Sequence, residues 1–498
     1  MTILNLLVGF AIGGLILTFI TFFYLKKDKN FVMSFLQHFT GIWFIFSGLV
    51  KAVDPFGTAL KMEQYFGEFE TTFKATNAKF IAPMFPFLLQ YATIFSIFMI
   101  VLEIAIGLML ILGHKPKLTA WLFLIIMVFF TVLTGYTHLT AYVPDGVNFF
   151  EFSKWGQYVE TNMKVTDCGC FGDFLKLIPT TSFYKDLALM PVAFYFLFWT
   201  KSFHVLFANT TRNLIVGSVL LLTLGFCLYN NFQNEPVVDF RPFKNGVNIR
   251  EQKKLEEDAA AAVKITDWKL LNEKTKEEKI IPDAEYMKSL MTYNRDNGWK
   301  VLEQIKTTPS VLHSKISDFG INDKNGSDIS EDILSEPNYT FLVVSWGMTS
   351  ETTTTKMSVP DSIFKFDTTR LKVASGDSLS IKKTFDRMGT KDEIFKSFKF
   401  DKNYRTAFTD KLNPILEKAE KAGYKIAAVV PFSDPKKIED FRHDVQAAYP
   451  FYTADDLLIK TMMRSNPGLF ILKNGLIVHK FHIKQLPDFE TIKAQYLK

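Results

Sequence analysis

The sequence predicts two folds in tandem: an α-helical membrane bundle of about six spans, then a water-soluble α/β domain carried on the outer side. Three observations predict it. Apolar stretches long enough to cross a bilayer are confined to the first 232 residues, and the remainder is rich in Lys, Asp, Glu, Ser and Thr. The second part alternates strand and helix patterns. Lysines in the short links between apolar stretches recur at alternate links, which places them on one face. The 48% hydrophobic content of the 498 residues is near average only because one half dilutes the other. A net charge of +6 is mild for this length and gives no case for nucleic-acid binding.

The spans follow in order. Leu4–Tyr24 has no charged residue over 21 positions, enough to cross a hydrocarbon core of about 30 Å. Its apolar run is too long for a cleaved signal peptide and no basic start precedes it, so an uncleaved helix is expected. Phe31–Val50 and Leu118–Val143 also lack charge, and Phe80–Gly113 carries only Glu103. Leu187–Thr200 is short and extends through Lys201, whose stem can snorkel. Asn213–Phe232 is the last.

Lys26, Lys27 and Lys29 lie between spans 1 and 2, Lys115 and Lys117 between spans 3 and 4, and Lys201 and Arg212 bound the link between spans 5 and 6. By the positive-inside rule that shared face is cytoplasmic. The 51–79 loop, the 144–186 loop and everything after residue 232 are then expected outside, in an oxidising compartment.

In the first outer loop Pro55 ends span 2, and Thr58–Phe69 reads as a short amphipathic helix on the membrane surface. Gln233–Arg250 lacks periodicity and reads as a surface tether. Residues 251–264 read as a charged helix, and 265–305 as a small strand pair with Trp268 and Trp299 as core. Tyr339–Trp346 is an apolar strand, Lys411–Ala422 a helix, and Tyr424–Pro431 a continuous apolar run of the kind a buried parallel strand needs. Pro435–Tyr449 is a second helix. Asn474-Gly475 between Gly468–Lys473 and Leu476–Ile483 marks a hairpin. The polar stretch from Gly347 to about Tyr404, Thr-rich over Thr349–Met357, reads as a solvated insertion, and His443 and His479 as surface residues.

Chemistry concentrates in Asp167-Cys168-Gly169-Cys170-Phe171-Gly172-Asp173, which holds two of the three cysteines. A Cys-x-Cys disulfide closes a small, strained ring and is correspondingly reducible, which suits a transferable bond. Two other readings stand beside this redox one: a structural loop without turnover, and metal binding. The metal reading lacks the usual Cys-x-x-Cys spacing and has only His138 as a further ligand, so no metal site is assigned. Cys227, near the outer end of the last span, is a candidate third relay thiol; a lone cysteine in an apolar helix more often serves as a packing residue. Glu103 is costly inside a span and needs a partner, which Lys51 supplies. Ser47, one turn below Lys51, and His138 would complete a polar pocket beneath the cysteine loop. No cofactor is firmly implied; a quinone head group is the candidate for such a pocket. The alternative is a Lys–Glu pair that fixes helix packing.

Two resemblances add to these readings. Ser465-Asn466-Pro467-Gly468 followed by Leu-Phe-Ile-Leu-Lys-Asn-Gly-Leu-Ile-Val-His-Lys resembles the end of a thioredoxin fold, which implies that Pro467 is a cis-proline. The place after Trp346 where thioredoxins carry Cys-x-x-Cys holds Gly347-Met348-Thr349-Ser350, so this domain is expected to be redox-inactive and to act in binding. Phe46-Ser-Gly-Leu-Val-Lys-Ala-Val-Asp-Pro55, Glu103 and Asp167–Asp173 resemble the DoxX-like superfamily, and within it MauE-type proteins, over roughly residues 31–205. The resemblance implies an extra N-terminal helix (1–30), a DoxX/MauE-like bundle with a four-helix core (31–205), a last span (206–232), a periplasmic tether with a small β region (233–310) and a thioredoxin-like domain (311–498). It further implies the inner membrane of a Gram-negative envelope, a role in thiol–disulfide chemistry through Cys168 and Cys170, and a periplasmic protein partner. A non-enzymatic scaffold subunit is the alternative.

Overall fold

The apolar runs dictate the first half directly. The computed structural model describes residues 2–27, 29–165, 169–348, 350–373 and 376–498. Helix α1 spans Ile3–Phe19 and runs on through a π-helical turn to Tyr24; α2 spans Phe31–Val53, α3 Pro55–Lys74, α4 Met84–Gln90, α5 Ala92–Leu112, α6 Pro116–Thr140, α7 Pro179–Phe198 and α8 Asn209–Phe232. Five helices among the described residues are long and apolar enough to cross a membrane: Ile3–Tyr24, α2, α5, α6 and α8. Six were expected. The 80–113 stretch breaks at Tyr91 into α4 and α5, and α7 replaces the short fifth span with a 20-residue helix that carries Lys185 and Asp186.

Asn30 caps α2 by accepting from the Met33 N–H, and Asp54 caps α3 by accepting from the Gly57 N–H at 3.1 Å, with Pro55 at the first helical position. The helix expected over Thr58–Phe69 therefore starts earlier and ends later. It buries Thr58, Leu60, Tyr65 and Phe66.

Helices α2 and α5 approach through glycine. A Cβ on Gly41 would lie 2.8 Å from Gly107 O, and one on Gly107 would lie 2.7 Å from Gly41 O. Such small-residue contacts let two backbones close up where lipid gives no hydrophobic drive. The three lysine-bearing links meet at one end of the bundle: Lys29 Nζ donates to Lys201 O at 3.3 Å, and Arg212 donates to Gly113 O at 3.0 Å. Asp54, the loop around Cys170 and the end of α8 lie at the other end.

The second half opens with α9 (Ile249–Ala261). A three-stranded antiparallel sheet follows, built from β1 (Ile265–Asn272), β2 (Glu278–Pro282) and β3 (Trp299–Lys306) in the order β2-β1-β3. It has one strand more than expected, because α10 (Asp283–Lys288) folds between β2 and β3 and stacks Tyr286 on Trp268 at 4.4 Å. After α11 (Ser330–Leu334) come β4 (Tyr339–Val344), β5 (Ser350–Val373), β6 (Gly376–Phe400), α12 (Lys402–Thr406), α13 (Asn413–Lys421), β7 (Lys425–Pro431), α14 (Pro435–Asp444), β8 (Phe451–Ala454), α15 (Asp456–Met462), β9 (Gly468–Lys473), β10 (Leu476–His482) and α16 (Phe489–Tyr496). The main sheet has the order β10-β9-β4-β7-β8, with β4, β7 and β8 parallel and β9 and β10 antiparallel. All six β4 residues are buried. Period two sends Phe341 and Val343 into the core beneath α13, α14 and α16, and Leu342 and Val344 into the core beneath α11 and α15.

Two expectations fail here for stated reasons. The Thr-rich insertion is no loop: β5 and β6 form a two-stranded antiparallel ribbon paired from Ser350↔Phe400 to Val373↔Gly376, with one register shift between Ile363 and Phe364. Apart from its base, where Phe400 is buried and Phe398 packs on the core, the described side chains of both faces are mostly exposed, so the inside–outside alternation that reveals a strand is missing. Nor is the 233–250 segment a surface tether. Arg241, Phe243 and Ile249 are buried, and Gly246 N–H donates to Ile477 O while Ile477 N–H donates to Val247 O, both at 2.8 Å, along the edge of β10.

Because the ribbon beyond Thr355↔Phe395 shares no core with the main sheet, replacing residues 356–394 by a short turn should leave that sheet intact. The expected shift in melting temperature is under about 3 °C, the effect of roughly 1 kcal/mol in a region of this size; differential scanning fluorimetry checks it.

Candidate functional site

The glycine approach of α2 and α5 brings Lys51 opposite Glu103. Lys51 Nζ donates to Glu103 Oε1 at 2.5 Å, with the side chains only 6% and 2% exposed. Ser47 Oγ lies 3.1 Å from Glu103 Oε2 and 2.9 Å from Cys170 O, so its single proton serves the carboxylate or the loop carbonyl. Lys51 Nζ also sits 5.1 Å above the Phe130 ring.

A second pair faces the same space. Lys185 and Asp186 on α7 form an ion pair, Asp186 is fully buried, and Thr134 Oγ1 of α6 donates to its Oδ2 at 3.0 Å. Lys185 Nζ lies 5.7 Å over Trp43. The two pairs, Ser47, Tyr65, Met127 and Cys170 enclose a cavity of about 50 Å³. That is room for water and well short of the roughly 150 Å³ of a cavity that binds benzene. Among the described residues no group of three His, Cys, Asp or Glu could hold a metal ion.

The cysteine loop is shaped by glycine at two positions, with φ of +60° at Gly169 and +51° at Gly172. Gly172 N–H donates to Gly169 O at 3.2 Å, and Phe171 is buried against the bundle beside Phe46. Cys170 is partly buried and lines the cavity. Cys168 lies outside the described residues.

His138 does not join the pocket. It sits one turn beyond Thr134, bonds through Nδ1 to Thr180 Oγ1 at 3.1 Å and stacks on Phe183 at 5.3 Å. Cys227 is buried among Ala52, Ile97, Ile100 and Ile104, in a cluster separate from the cavity. His443 is exposed; His479 is half-buried against Phe481 and Tyr496, with Asn245 on its Nδ1 at 3.1 Å. The Asn466–Pro467 peptide bond is cis. The Lys185–Asp186 pair escaped sequence reasoning because the fifth span was started at Leu187, just past it. An adjacent Lys-Asp at the edge of an apolar run was the signal.

Outside the spans, charge continues outward from Lys51. Arg464, just before the cis bond, donates to Asp54 Oδ2 at 2.7 Å and lies 3.6 Å from Asp173 Oδ2 of the cysteine loop. Its backbone N–H donates to Glu235 Oε1 at 3.0 Å. Glu235 and Asp239 flank Arg241 at 2.6 and 2.8 Å, and Lys480 Nζ donates to Asp239 at 2.5 Å. Burial opposes ionisation of Asp54, yet the Arg464 guanidinium outweighs it and holds the carboxyl below its usual range. Burial likewise opposes Glu235 and Asp239, and Arg241 and Lys480 outweigh it and hold both below that range. Burial pulls the Lys480 amine down to about 8.

The apolar helices and the charged site buried among them define a multi-pass membrane protein. Within it, residues 29–144 match the family model of methylamine utilisation protein MauE. The match runs from the link before α2 through α6 and ends short of the cysteine loop. No curated protein and no solved structure matches the chain.

Removing one partner of a buried pair strands the other. Glu103→Gln should cost about 3–5 kcal/mol, whereas the paired change Lys51→Met/Glu103→Leu should cost far less; thermal unfolding in detergent separates the two. The outer network has an acid limit. Asp54, Glu235 and Asp239 stabilise the fold above the ordinary carboxylate range and lose that contribution as pH falls through their lower native values. Melting temperature should therefore drop from about pH 5 downward, and Asp239→Asn should flatten the drop. Lys480 adds a slope of the same sign at alkaline pH, where the loss of its buried charge relieves a penalty. Its native value near 8 lies below the usual 10.5, so its contribution rises with pH between those values.

Proposed function

We propose that this protein is an inner-membrane accessory of envelope thiol–disulfide chemistry, with Cys168 and Cys170 as the exchanging pair. The observation that carries the reading is the seat of Cys170, over a cavity built from two ion pairs inside the helical bundle. In such an exchange the dithiol passes two electrons and two protons to a partner disulfide, or the reverse. Ser47 steadies the loop through the Cys170 carbonyl. The two ion pairs give that carbonyl a polar floor that excludes lipid.

The clustering of Lys29, Lys201, Arg212 and the 113–117 link at one end of the bundle supports a cytoplasmic location for that end. The cysteine loop and the α/β region then face the periplasm. The strand order β10-β9-β4-β7-β8 and the cis Asn466–Pro467 bond ahead of β9 support a thioredoxin-like reading of the C-terminal region. With no cysteine after residue 227, that region contributes binding and geometry, not electrons.

That absence also favours a second reading, a scaffold subunit of an envelope complex. The scaffold tolerates both cysteine changes and fails on deletion of residues 310–498.

Acid trapping followed by mass-tag alkylation, in a Cys227→Ala background, reports the state of the pair in cells. A mixed population, with Cys168→Ser and Cys170→Ser giving the same phenotype, is the expected result. Full function in the double Ser variant removes the redox reading and leaves the scaffold.

A further inference from the structure

The contacts between the C-terminal α/β region and the bundle converge on one place. Arg464 grips Asp54 at the end of α2 and reaches Asp173 in the cysteine loop. Trp346 packs on Phe56 at 5.0 Å, and the Arg464 guanidinium lies 5.5 Å over the same Phe56 ring. Phe240 meets Phe174 of the cysteine loop edge-on at 5.2 Å. Lys460 of α15 lies 3.6 Å from Glu63 of α3.

Arg464 is itself held from behind. Glu235 accepts from the backbone N–H groups of Arg464 and Ser465, both at 3.0 Å, and Asn466 is tied to Ser345 and Gly347. The side chain is therefore presented on a fixed loop and can pull on the cysteine loop only as that whole region moves.

Beneath Arg464 lies a second cavity of about 110 Å³, roofed by Arg464, Thr461 and Phe240 and floored by Gly169 and Gly172. It shares Thr58, Lys61 and Gly169 with the inner cavity at Cys170. Thr58 Oγ1 is buried with no partner among the described residues, as a hydroxyl bonded to water would be. The two adjoining cavities thus lead from Cys170 outward and pass under the C-terminal region. The join combines ion pairs and two aromatic contacts around a cavity, the kind of limited interface at which domain motion is expected.

We infer that the C-terminal α/β region is a lid on the cysteine loop, latched by Arg464 on Asp54 and Asp173. Release of the latch opens the route to Cys170 for a protein thiol or disulfide. The lid deepens the thiol–disulfide reading by naming what gates the site, but its test needs only a reactive thiol at Cys170, not turnover.

The test uses the full chain in native membranes, with Cys168→Ser and Cys227→Ala leaving Cys170 as reporter. The readout is its rate of alkylation by a membrane-impermeant maleimide. Arg464→Gln should raise the rate by about tenfold or more, since one partner of a buried pair is lost. Lys460→Gln, at the rim of the same join, should raise it less, and Arg464→Lys should restore most of the protection. Should Arg464→Gln fail to give a single gel-filtration peak in detergent, Lys460→Gln decides. Unchanged rates in the well-folded variants overturn the lid. A raised rate together with full function in the double Ser variant keeps the lid and removes the redox reading.

Discussion

A carboxylate in the middle of an apolar helix is costly without a partner for its charge, and the membrane half is organised around meeting that need at Glu103. The glycines that let α2 and α5 close up also bring Lys51 within 2.5 Å of it. Once that pair is set, Ser47 on the same helix face reaches the Cys170 carbonyl. Three residues beyond Lys51, Asp54 both ends α2 and caps α3. The position of the cysteine loop and the start of the outer helix thus follow from one ion pair.

The same interaction begins a chain of alternating charge. Glu103 faces Lys51 inside the bundle. Asp54 and Asp173 face Arg464 where the two halves meet, and Glu235 and Asp239 face Arg241 and Lys480 within the α/β region. Buried pairs of this kind are weak sources of stability, because apolar side chains of equal volume do as well or better. Their clearest use is to fix register. Here register means where the cysteine loop sits relative to the membrane and to the C-terminal region. The second pair, Lys185–Asp186, converges on the same 50 Å³ cavity from the opposite helix. The loop is thereby referenced to α2 and α5 on one side and to α6 and α7 on the other.

How much of this could be read in the sequence depended on how far apart the partners lie. The long spans were legible because each run of apolar residues carries its own evidence. Glu103 pointed to Lys51 because an intramembrane carboxylate demands a cation and few were at the right depth. His138 was drawn into the same pocket by depth alone; one helical turn past Thr134 was enough to take it elsewhere. Arg241 was invisible: its segment has no periodicity, and Lys480, which shares Asp239 with it, is 241 residues from that carboxylate. The β5–β6 ribbon was hidden for the opposite reason, since strands exposed on both faces have no apolar alternation to betray them.

The buried 233–250 segment changes what the cysteine-free half can contribute. A flexible tether would have made the α/β region an independent module, free to meet partners away from the membrane. Instead the chain leaves α8, passes Glu235 to the Arg464 backbone, buries Arg241 and runs along β10. Motion of the region relative to the bundle must therefore be carried by the residues at the join, among them Arg464, Trp346, Phe240 and Lys460. A domain with no thiol of its own is thereby held by such contacts against a loop whose sequence has two. The side chains at the join therefore fix where the domain sits over Cys170.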